Sequence, residues 1–181
     1  MYRVSSKLLF RVFILMASAV LLYFTACKPA PKAEAEIINA KGKKIGTLSL
    51  RETWSGVEIS GELNSLPAGI HGIHIHEKGA IDPPDFKTAG GHFNPENKEH
   101  GIYNPRGRHA GDLPNIEVDK DGKVFISFKD RKVTLKKGNP DSLLREGGTS
   151  IIIHEQGDDY VTNPAGNSGA RIAGGTIIEK M

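Results

Sequence analysis

Short runs in which apolar and polar residues alternate constrain the fold of this 181-residue chain more than any other feature. The clearest run covers residues 57–63, where Val57, Ile59 and Leu63 alternate with charged and hydroxyl side chains. Successive side chains of a β-strand point to opposite faces, so this run predicts a strand buried on one face. Leu48 and Leu50 follow the same spacing just before it.

Further strands are predicted between closely spaced turn signals. Residues 116–118 and 124–128 flank the turn at Asp121-Gly122 and predict a hairpin. Residues 151–153 form an apolar strand that ends at His154, and residues 171–178 form the last predicted strand. No window of helical length keeps a period of 3.6 residues, so we predict an all-β fold.

Two long segments lack this alternation, residues 79–114 and residues 155–170, and both are rich in glycine and loop-forming residues. Loops of this length in a compact domain are usually functional or disordered. Histidines lie in or beside both segments, which favours functional loops.

The N-terminus carries an export signal. Arg3, Lys7 and Arg11 precede an apolar run, residues 12–24, that is too short for a confident membrane span. The sequence Phe24-Thr25-Ala26-Cys27 resembles a bacterial lipoprotein signal, in which Cys27 becomes the lipidated first residue. Simple secretion is the alternative. We therefore predict a signal peptide over residues 1–27 and an exported protein, lipid-anchored to the membrane in the cell envelope on the extracytoplasmic face.

Residues 28–35 are rich in Lys, Pro, Ala and Glu and predict a solvated tether, which leaves residues 36–181 as one domain. The signal peptide holds three basic residues and no acidic residue, so the remaining chain has 21 of each. The overall basic charge is therefore no argument for nucleic acid as a partner. The sequence leaves the oligomeric state open.

Histidines cluster strongly: six of the seven lie between residues 71 and 109. If the segment around His74 and His76 is a strand, these two side chains share one face, with Cα atoms about 6.6 Å apart, and can reach one metal ion. Neutral imidazoles suit copper and zinc, and an added carboxylate suits zinc. The spacing supports two overlapping metal sites, formed by His74, His76, His92, His154, His100, His109 and Asp112.

Five motifs together resemble the copper/zinc superoxide dismutase family. They are GIHGIHIHE at 69–77, AGGHFNP at 89–95, HAGDL at 109–113, HEQGDD at 154–159 and GNSGAR at 166–171. The resemblance covers roughly residues 35–180. It implies a Greek-key β-sandwich or flattened barrel of about eight antiparallel strands with two long functional loops.

The resemblance also implies roles for single residues. One copper ion per chain would be bound by His74, His76, His92 and His154. One zinc ion per chain would be bound by His92, His100, His109 and Asp112, so that His92 bridges both metals. Asp158 would link a copper histidine to a zinc histidine, Arg171 would guide the anionic substrate, and His71 would brace the framework without binding metal.

The implied reaction is dismutation of superoxide to oxygen and hydrogen peroxide by a redox-cycling copper, with zinc in a structural role and with His92 and Arg171 as the catalytic residues. The alternative is a non-enzymatic copper- or zinc-binding envelope lipoprotein on the same scaffold. The complete copper set and Arg171 favour the enzyme, because a retired enzyme would be expected to lose some of them.

The chain departs from the family in two places. The disulfide that usually ties the first long loop to the last strand is missing, because Ile81 and Gly174 stand at the matching positions. A disulfide closing such a loop ordinarily contributes about 2–4 kcal/mol. The second long loop contains no lysine, so steering by lysine from that loop is absent, and Lys78, Lys87 and Lys98 are interpreted as solvated loop charges.

Overall fold

The structure, a computed structural model, describes residues 30–180. The predicted signal peptide and Cys27 lie outside the described residues. Within residues 30–180 no helix has the length and apolar character needed to cross a membrane. Apart from one short 3₁₀ turn at Lys87–Ala89, the regular structure of the described residues consists of nine strands. They are β1 Lys32–Asn39, β2 Lys44–Thr53, β3 Gly56–Leu63, β4 Gly69–His71, β5 Ile73–His76, β6 Ile116–Val118, β7 Val124–Asp130, β8 Ser150–His154 and β9 Arg171–Lys180.

Seven strands form one antiparallel sheet in the order β5-β8-β9-β1-β2-β3-β7, and β4 pairs with β6 in a small second sheet. Two short connections hold the sheets together. Only Gly72 separates β4 from β5, and a tight turn in which the Asp119 amide donates to the Lys123 carbonyl at 2.9 Å joins β6 to β7. These connections curl the sheet into a flattened barrel, which confirms the predicted all-β class.

The alternation read from the sequence matches the burial in the structure. In β3, Val57, Ile59 and Leu63 are fully buried, while Ser60 and Glu62 face solvent. The apolar strand at residues 151–153 is β8, buried along its length because it lies between β5 and β9. The last predicted strand, residues 171–178, continues to Lys180.

The tether prediction is wrong from residue 32 onward. β1 begins at Lys32, and Ala33 and Ala35 are buried in the core between β2 and β9. Alanine has a low intrinsic preference for strands, so this segment gave no strand signal by composition. Its position between two neighbouring strands supplies the hydrogen bonds and burial that hold it extended.

Gly72 is the reason that the histidine strand appears as two elements. Its amide donates to the Gln156 carbonyl at 2.8 Å, and its carbonyl accepts from the His154 amide at 2.8 Å. A Cβ atom here would lie 3.1 Å from Ser168 Cβ and 3.3 Å from His74 Cε1. A side chain at this position would therefore push against both the second long loop and a site histidine.

Candidate metal centre

His74 and His76 on β5 point to the same side of the sheet, and both are fully buried. Ile73 and Ile75 point into the apolar core on the opposite side. The pairing of β5 with β8 brings His154, the last residue of β8, to the same region. The first long loop supplies His92 through an isolated bridge to His76.

Four of these buried imidazoles each have one ring nitrogen without a hydrogen-bond partner among the described residues: His74 Nδ1, His76 Nε2, His92 Nε2 and His154 Nε2. One nitrogen from each of the same four residues lies within 4.8 Å of the others. A buried polar atom left unpaired costs free energy, so native proteins rarely keep one. Four converging imidazoles are a donor set that suits copper.

In His76 and His154, the hydrogen bond made by the other ring nitrogen determines which nitrogen carries the proton. His76 Nδ1 donates to the Gly90 carbonyl at 3.0 Å, and His154 Nδ1 donates to the Gly169 carbonyl at 3.4 Å. A carbonyl oxygen can only accept, so the other nitrogen of each ring must present its lone pair. The loops thus orient the rings toward the centre of the cluster.

A second cluster surrounds the Asp112 carboxylate. Asp112 Oδ1 lies 2.9 Å from His92 Nδ1, 3.1 Å from His100 Nδ1 and 3.2 Å from His109 Nδ1. The Nδ1 atoms of His92 and His109 are 3.4 Å apart. In a tetrahedral zinc site with bonds near 2.0–2.1 Å, ligand atoms are about 3.3–3.4 Å apart. Three imidazoles and one carboxylate with nearly this spacing fit zinc.

Asp158 joins the two clusters. Its Oδ2 lies 2.8 Å from His74 Nε2, and its Oδ1 lies 3.0 Å from His100 Nε2. The Asn115 side chain holds the backbone of Asp158 in place, donating to its carbonyl at 2.9 Å and accepting from its amide at 2.8 Å. Asn115 was not identified from the sequence, because nothing in its local pattern indicates a contact 43 residues away.

Burial lowers the pKa of all four histidines in the four-imidazole cluster, including His74. The pKa of His154 falls to about 3 and that of His92 to about 4, and the pKa of His76 lies well below its usual value. Loss of solvation disfavours the charged ring in each of them, and neighbouring imidazoles add to the effect. The rings are therefore neutral near pH 7, which is the form that binds a metal.

The two carboxylates stay charged although burial opposes it. Hydrogen bonds from His100, His109 and His92 lower the pKa of Asp112 far below its usual range, and bonds from His100 and His74 lower that of Asp158. Burial also disfavours the charged form of His100, but its bonds to the two carboxylates outweigh this and raise its pKa to about 9. Negative charge is thus fixed inside the cluster, where a cation is favoured.

A sequence model of the family described as copper/zinc superoxide dismutase matches residues 44–177. The chain belongs to the copper/zinc superoxide dismutase family. It is 51% identical over 160 residues to a Cu-Zn superoxide dismutase of Aquifex aeolicus, covering 88% of this chain and 94% of that protein. It is 41% identical over 153 residues to a Cu-Zn superoxide dismutase of Deinococcus radiodurans, covering 78% and 81%. It also resembles the crystal structure of a double mutant of a superoxide dismutase-like protein from Bacillus subtilis, with a TM-score of 0.78 and 51% identity over 80% of this chain and 96% of that one.

Arg171, the predicted anion guide of this superoxide dismutase, begins β9 beside the four-imidazole cluster. Its Nη1 donates to the Phe86 carbonyl at 2.7 Å, and its Nη2 donates to the Gly90 carbonyl at 2.6 Å. The guanidinium lines a cavity of about 490 Å³ together with Pro84, Asp85, Lys87, Gly169 and Ala170. Lys87 is exposed and paired with Asp85 at 2.8 Å, as expected for a solvated charge, yet it also lies at this cavity.

His71 makes contacts that differ from those of the other histidines. Its Nδ1 lies 2.9 Å from the His154 carbonyl, and its Nε2 lies 2.9 Å from the Pro67 carbonyl. Both ring nitrogens are therefore engaged with backbone oxygens, and neither is free to bind metal. The ring ties the segment before β4 to the end of β8.

An apolar contact occupies the place of the disulfide that the superoxide dismutase family usually has between the first long loop and the last strand. Phe86, Ala89 and Ile152 form a small buried cluster with Ile81 packed against it. Gly174 leaves room for this cluster, because a Cβ atom there would lie 2.6 Å from Ile152 Cδ1 and 3.5 Å from Phe86 Cδ1.

Hydrogen bonds from neighbouring strands add to the apolar contact. Ser150 Oγ donates to the Lys78 carbonyl at 2.8 Å, and Thr176 Oγ1 donates to the Gly79 carbonyl. The two bonds from Arg171 anchor the loop further along at Phe86 and Gly90. The first long loop is therefore held against β8 and β9 without a covalent bond.

Proposed function

We propose that the chain catalyses dismutation of superoxide to oxygen and hydrogen peroxide, at a copper site beside a zinc site. The copper ligands are His74, His76, His92 and His154, and the zinc ligands are His92, His100, His109 and Asp112. The observation that carries this proposal is a set of four buried imidazole nitrogens that find no hydrogen-bond partner within residues 30–180, next to a cavity that contains an arginine.

When bound, copper supplies the one-electron redox cycle that zinc and the side chains of this cluster do not offer. Arg171 attracts the superoxide anion into the cavity, because a guanidinium stays charged at any working pH. Two of its nitrogens are fixed by backbone carbonyls, so its orientation is set before the anion arrives.

His92 has one nitrogen in each cluster. Its Nδ1 faces Asp112 and His109, whereas its Nε2 belongs to the four-imidazole set. Nε2 is therefore the atom that can hold a proton whenever it is not bound to metal, and it can release that proton toward the reduced substrate. Asp112 keeps the ring oriented through this exchange.

A non-enzymatic metal-binding protein on the same scaffold is not favoured. Such a protein would need neither four converging imidazoles at one site nor an arginine fixed at the adjoining cavity. This chain keeps both, and related proteins named Cu-Zn superoxide dismutase share 40–51% identity with it.

The location is also part of the proposal. The signal-like N-terminus ending at Cys27 supports lipid attachment at that residue and display on the extracytoplasmic side of a membrane. Because β1 begins at Lys32, only residues 28–31 separate the lipid from the barrel. Disulfides are permitted in the cell envelope but not required there, so a chain without one is compatible with this location. In the envelope the protein would meet superoxide formed outside the cytoplasm.

The test measures dismutase activity and metal content of protein purified from its native envelope. We expect about one copper and one zinc per chain and an activity that His76→Ala abolishes, while the matched loop variant Lys98→Ala keeps it. Wild-type protein loaded with both metals but no faster than His76→Ala would overturn the enzymatic function. Mass spectrometry of the N-terminal peptide would test the lipid at Cys27 separately.

A further inference from the structure

The end of the barrel around Trp54 has a surface that the metal centre does not use. Trp54 lies in the turn between β2 and β3 and is 96% exposed, although it is the only tryptophan of the chain. Tryptophan is highly buried on average, so an indole standing in water at the tip of an ordered hairpin is unusual. The Lys129 ammonium lies 5.9 Å from the centre of its ring. We call this surface the Trp54 end. It consists of residue 32 and residues 51–58, 129–141 and 178–180.

The N-terminal part of the chain enters the barrel at the Trp54 end. Lys32, the first residue of β1, pairs with Arg51 on β2, and the Glu52 amide donates to the Pro31 carbonyl at 3.0 Å. Trp54 follows two residues after Glu52. If Cys27 carries a lipid, the four residues between it and β1 span at most about 14 Å. This step rests on the lipid attachment proposed above.

Charge at the Trp54 end is positive, although the chain after residue 27 is balanced. The acidic residues of this surface are Glu52, Glu58, Asp130, Asp141 and Glu179, of which Glu52 and Asp130 are buried. Glu34 and Glu96, from neighbouring segments, pair with Lys180 and Lys132. The basic residues number eight: Lys32, Arg51, Lys129, Arg131, Lys132, Lys136, Lys137 and Lys180.

A cavity of about 350 Å³ opens beside Trp54. Arg131, Lys132 and Lys136 line it together with the Trp54 turn, Asp141 and the buried Glu52. Glu52 is already satisfied, since it accepts from Thr134 Oγ1 at 2.9 Å and from the Leu135 amide at 2.6 Å. Lys136 Nζ lies 3.6 Å from Glu52 Oε1 and Lys132 Nζ lies 3.3 Å from Glu96 Oε2, whereas Arg131 has no ion pair with a carboxylate among residues 30–180. Arg131 is therefore able to meet an anionic group from outside, and the ammonium group of Lys136 is exposed beside it.

We propose that the Trp54 end docks on the surface of an anionic phospholipid membrane. The Trp54 indole lies at the level of the headgroups, where an amphipathic ring is favoured. Arg131, Lys132 and Lys136 contact lipid phosphates in the cavity, and the other cations add attraction to the negative surface. The lipid at Cys27 holds the domain near the membrane, and the Trp54 end sets its orientation.

This orientation has a consequence for the reaction. β9 runs from Arg171 at the catalytic cavity to Lys180 at the Trp54 end, a length of roughly 30 Å for ten residues. The potential of a charged membrane decays over a Debye length of about 8 Å at physiological ionic strength. Docking by the Trp54 end therefore places the entrance for superoxide, itself an anion, beyond the repulsion of the lipid headgroups.

Because Trp54 is the only tryptophan, its fluorescence in the full chain reports on this surface alone. The protein is reconstituted into vesicles of phosphatidylglycerol mixed with phosphatidylethanolamine, and into vesicles of phosphatidylcholine. We expect emission shifted to the blue and quenched by brominated acyl chains in the anionic vesicles, with a smaller effect in phosphatidylcholine. Emission equal in both kinds of vesicle, or quenched as in free solution by aqueous iodide, would overturn the proposal.

Flotation of the same samples separates this proposal from that of lipid attachment. Protein that floats with both kinds of vesicle but keeps water-like Trp54 emission would refute the docking surface and leave the lipid anchor standing. Protein that is released in soluble form would refute the anchor. Anionic vesicles are then added to that soluble protein, and a blue shift of Trp54 would still support the surface.

Two sets of variants serve as controls. The pair Trp54→Phe with Phe125→Trp moves the tryptophan to the opposite end of β3 and β7, where Phe125 is 73% exposed, and the blue shift should disappear. The pair Arg131→Gln with Lys132→Gln should reduce the shift, whereas Lys120→Gln with Lys123→Gln, at the far hairpin, should not. If both pairs of charge-removing substitutions reduced the blue shift equally, the cavity would not be the site that contacts the lipid phosphates. All variants should retain dismutase activity, which reports that they fold.

Discussion

Arg171 and His76 donate hydrogen bonds to the same acceptor, the backbone carbonyl of Gly90. The distances are 2.6 Å from Arg171 Nη2 and 3.0 Å from His76 Nδ1. One carbonyl of the first long loop thus sets the orientation of the proposed anion-guiding group and of one imidazole of the four-imidazole cluster. A Cβ atom at position 90 would lie 2.4 Å from Glu77 Oε1, so only glycine brings the backbone this close.

Replacing Arg171 separates charge from geometry. Arg171→Gln removes the cation and should lower kcat/KM roughly tenfold or more, because a fixed charge at a cleft raises the local concentration of an anionic substrate. Arg171→Lys keeps a cation, so its loss of kcat/KM should be smaller than that of Arg171→Gln. Some loss should remain, because a lysine cannot make the two hydrogen bonds to Phe86 and Gly90. The measurement is kcat/KM at increasing ionic strength. Salt should lower the rate of wild type and Arg171→Lys, and a Gln variant with the same salt dependence as wild type would contradict this role.

Removing the negative charge of Asp158 should weaken both metal sites together. Asp158→Asn leaves the size of the side chain unchanged, but an amide cannot accept from His74 and His100 with both of its terminal atoms. Partners of ligating histidines typically contribute about 10–100-fold in metal affinity. Competition with a chelator measures retention of copper and zinc. Asp121→Asn, at the exposed hairpin turn, is the control, and loss of one metal only would argue against the linking role.

Phe86 should contribute substantially to stability in the absence of the disulfide. Phe86→Ala removes a fully buried ring from the contact with Ile152, and truncations of this kind typically cost about 3–5 kcal/mol. Urea unfolding of the zinc-loaded protein measures this change. Phe125→Ala, which truncates an exposed ring, should cost far less. Similar losses in the two variants would mean that the loop is not held by Phe86.

Stability of the metal-free protein should fall as pH drops below 6.5. In the fold, burial lowers the pKa of His92 to about 4 and that of His154 to about 3, whereas both take up protons near pH 6.5 in the unfolded chain. Between pH 6.5 and 4 the unfolded state therefore binds more protons, and the two residues together reduce the free energy of unfolding by about 2–3 kcal/mol per pH unit.

His100 does not change the sign of this slope. Its pKa is raised to about 9, so its contribution is complete below pH 6.5 and is lost only as pH rises through 9. Urea unfolding of the metal-free protein at several pH values gives the slope. His76 and His74, whose pKa values burial also lowers, add to the slope with the same sign. His154→Gln should therefore remove the share of one residue, about 1.4 kcal/mol per pH unit, and a slope that this substitution leaves unchanged would show that burial of these rings is not its source.

Several features of the molecule could be predicted from the sequence, because the patterns that indicate them are local. The alternation in β3 depends on the two-residue period of a strand, and that period also placed His74 and His76 on one buried face. The chemistry of the metal centre followed from the clustering and types of the ligands. The motifs around them were specific enough to identify the family.

Other features required the tertiary structure. The first four residues of β1, 32–35, carry no strand signal of their own, because Ala33 and Ala35 become strand residues only between β2 and β9. The hydrogen bonds of Asn115 to Asp158 join segments far apart in the chain. The apolar contact at Phe86 depends on how the first long loop lies across β8 and β9.

The class of fold and the set of candidate metal-binding side chains could be predicted from the sequence, since alternation and motif spacing are encoded residue by residue. The tertiary structure was needed to find which carbonyl orients each imidazole, what replaces the missing disulfide, and that Trp54 lies at the end where the chain enters the barrel. The physical reason is that backbone acceptors are the same at every residue. Which acceptor lies within 3 Å of a given donor therefore depends on strand register and loop path, and neither leaves a pattern in the sequence.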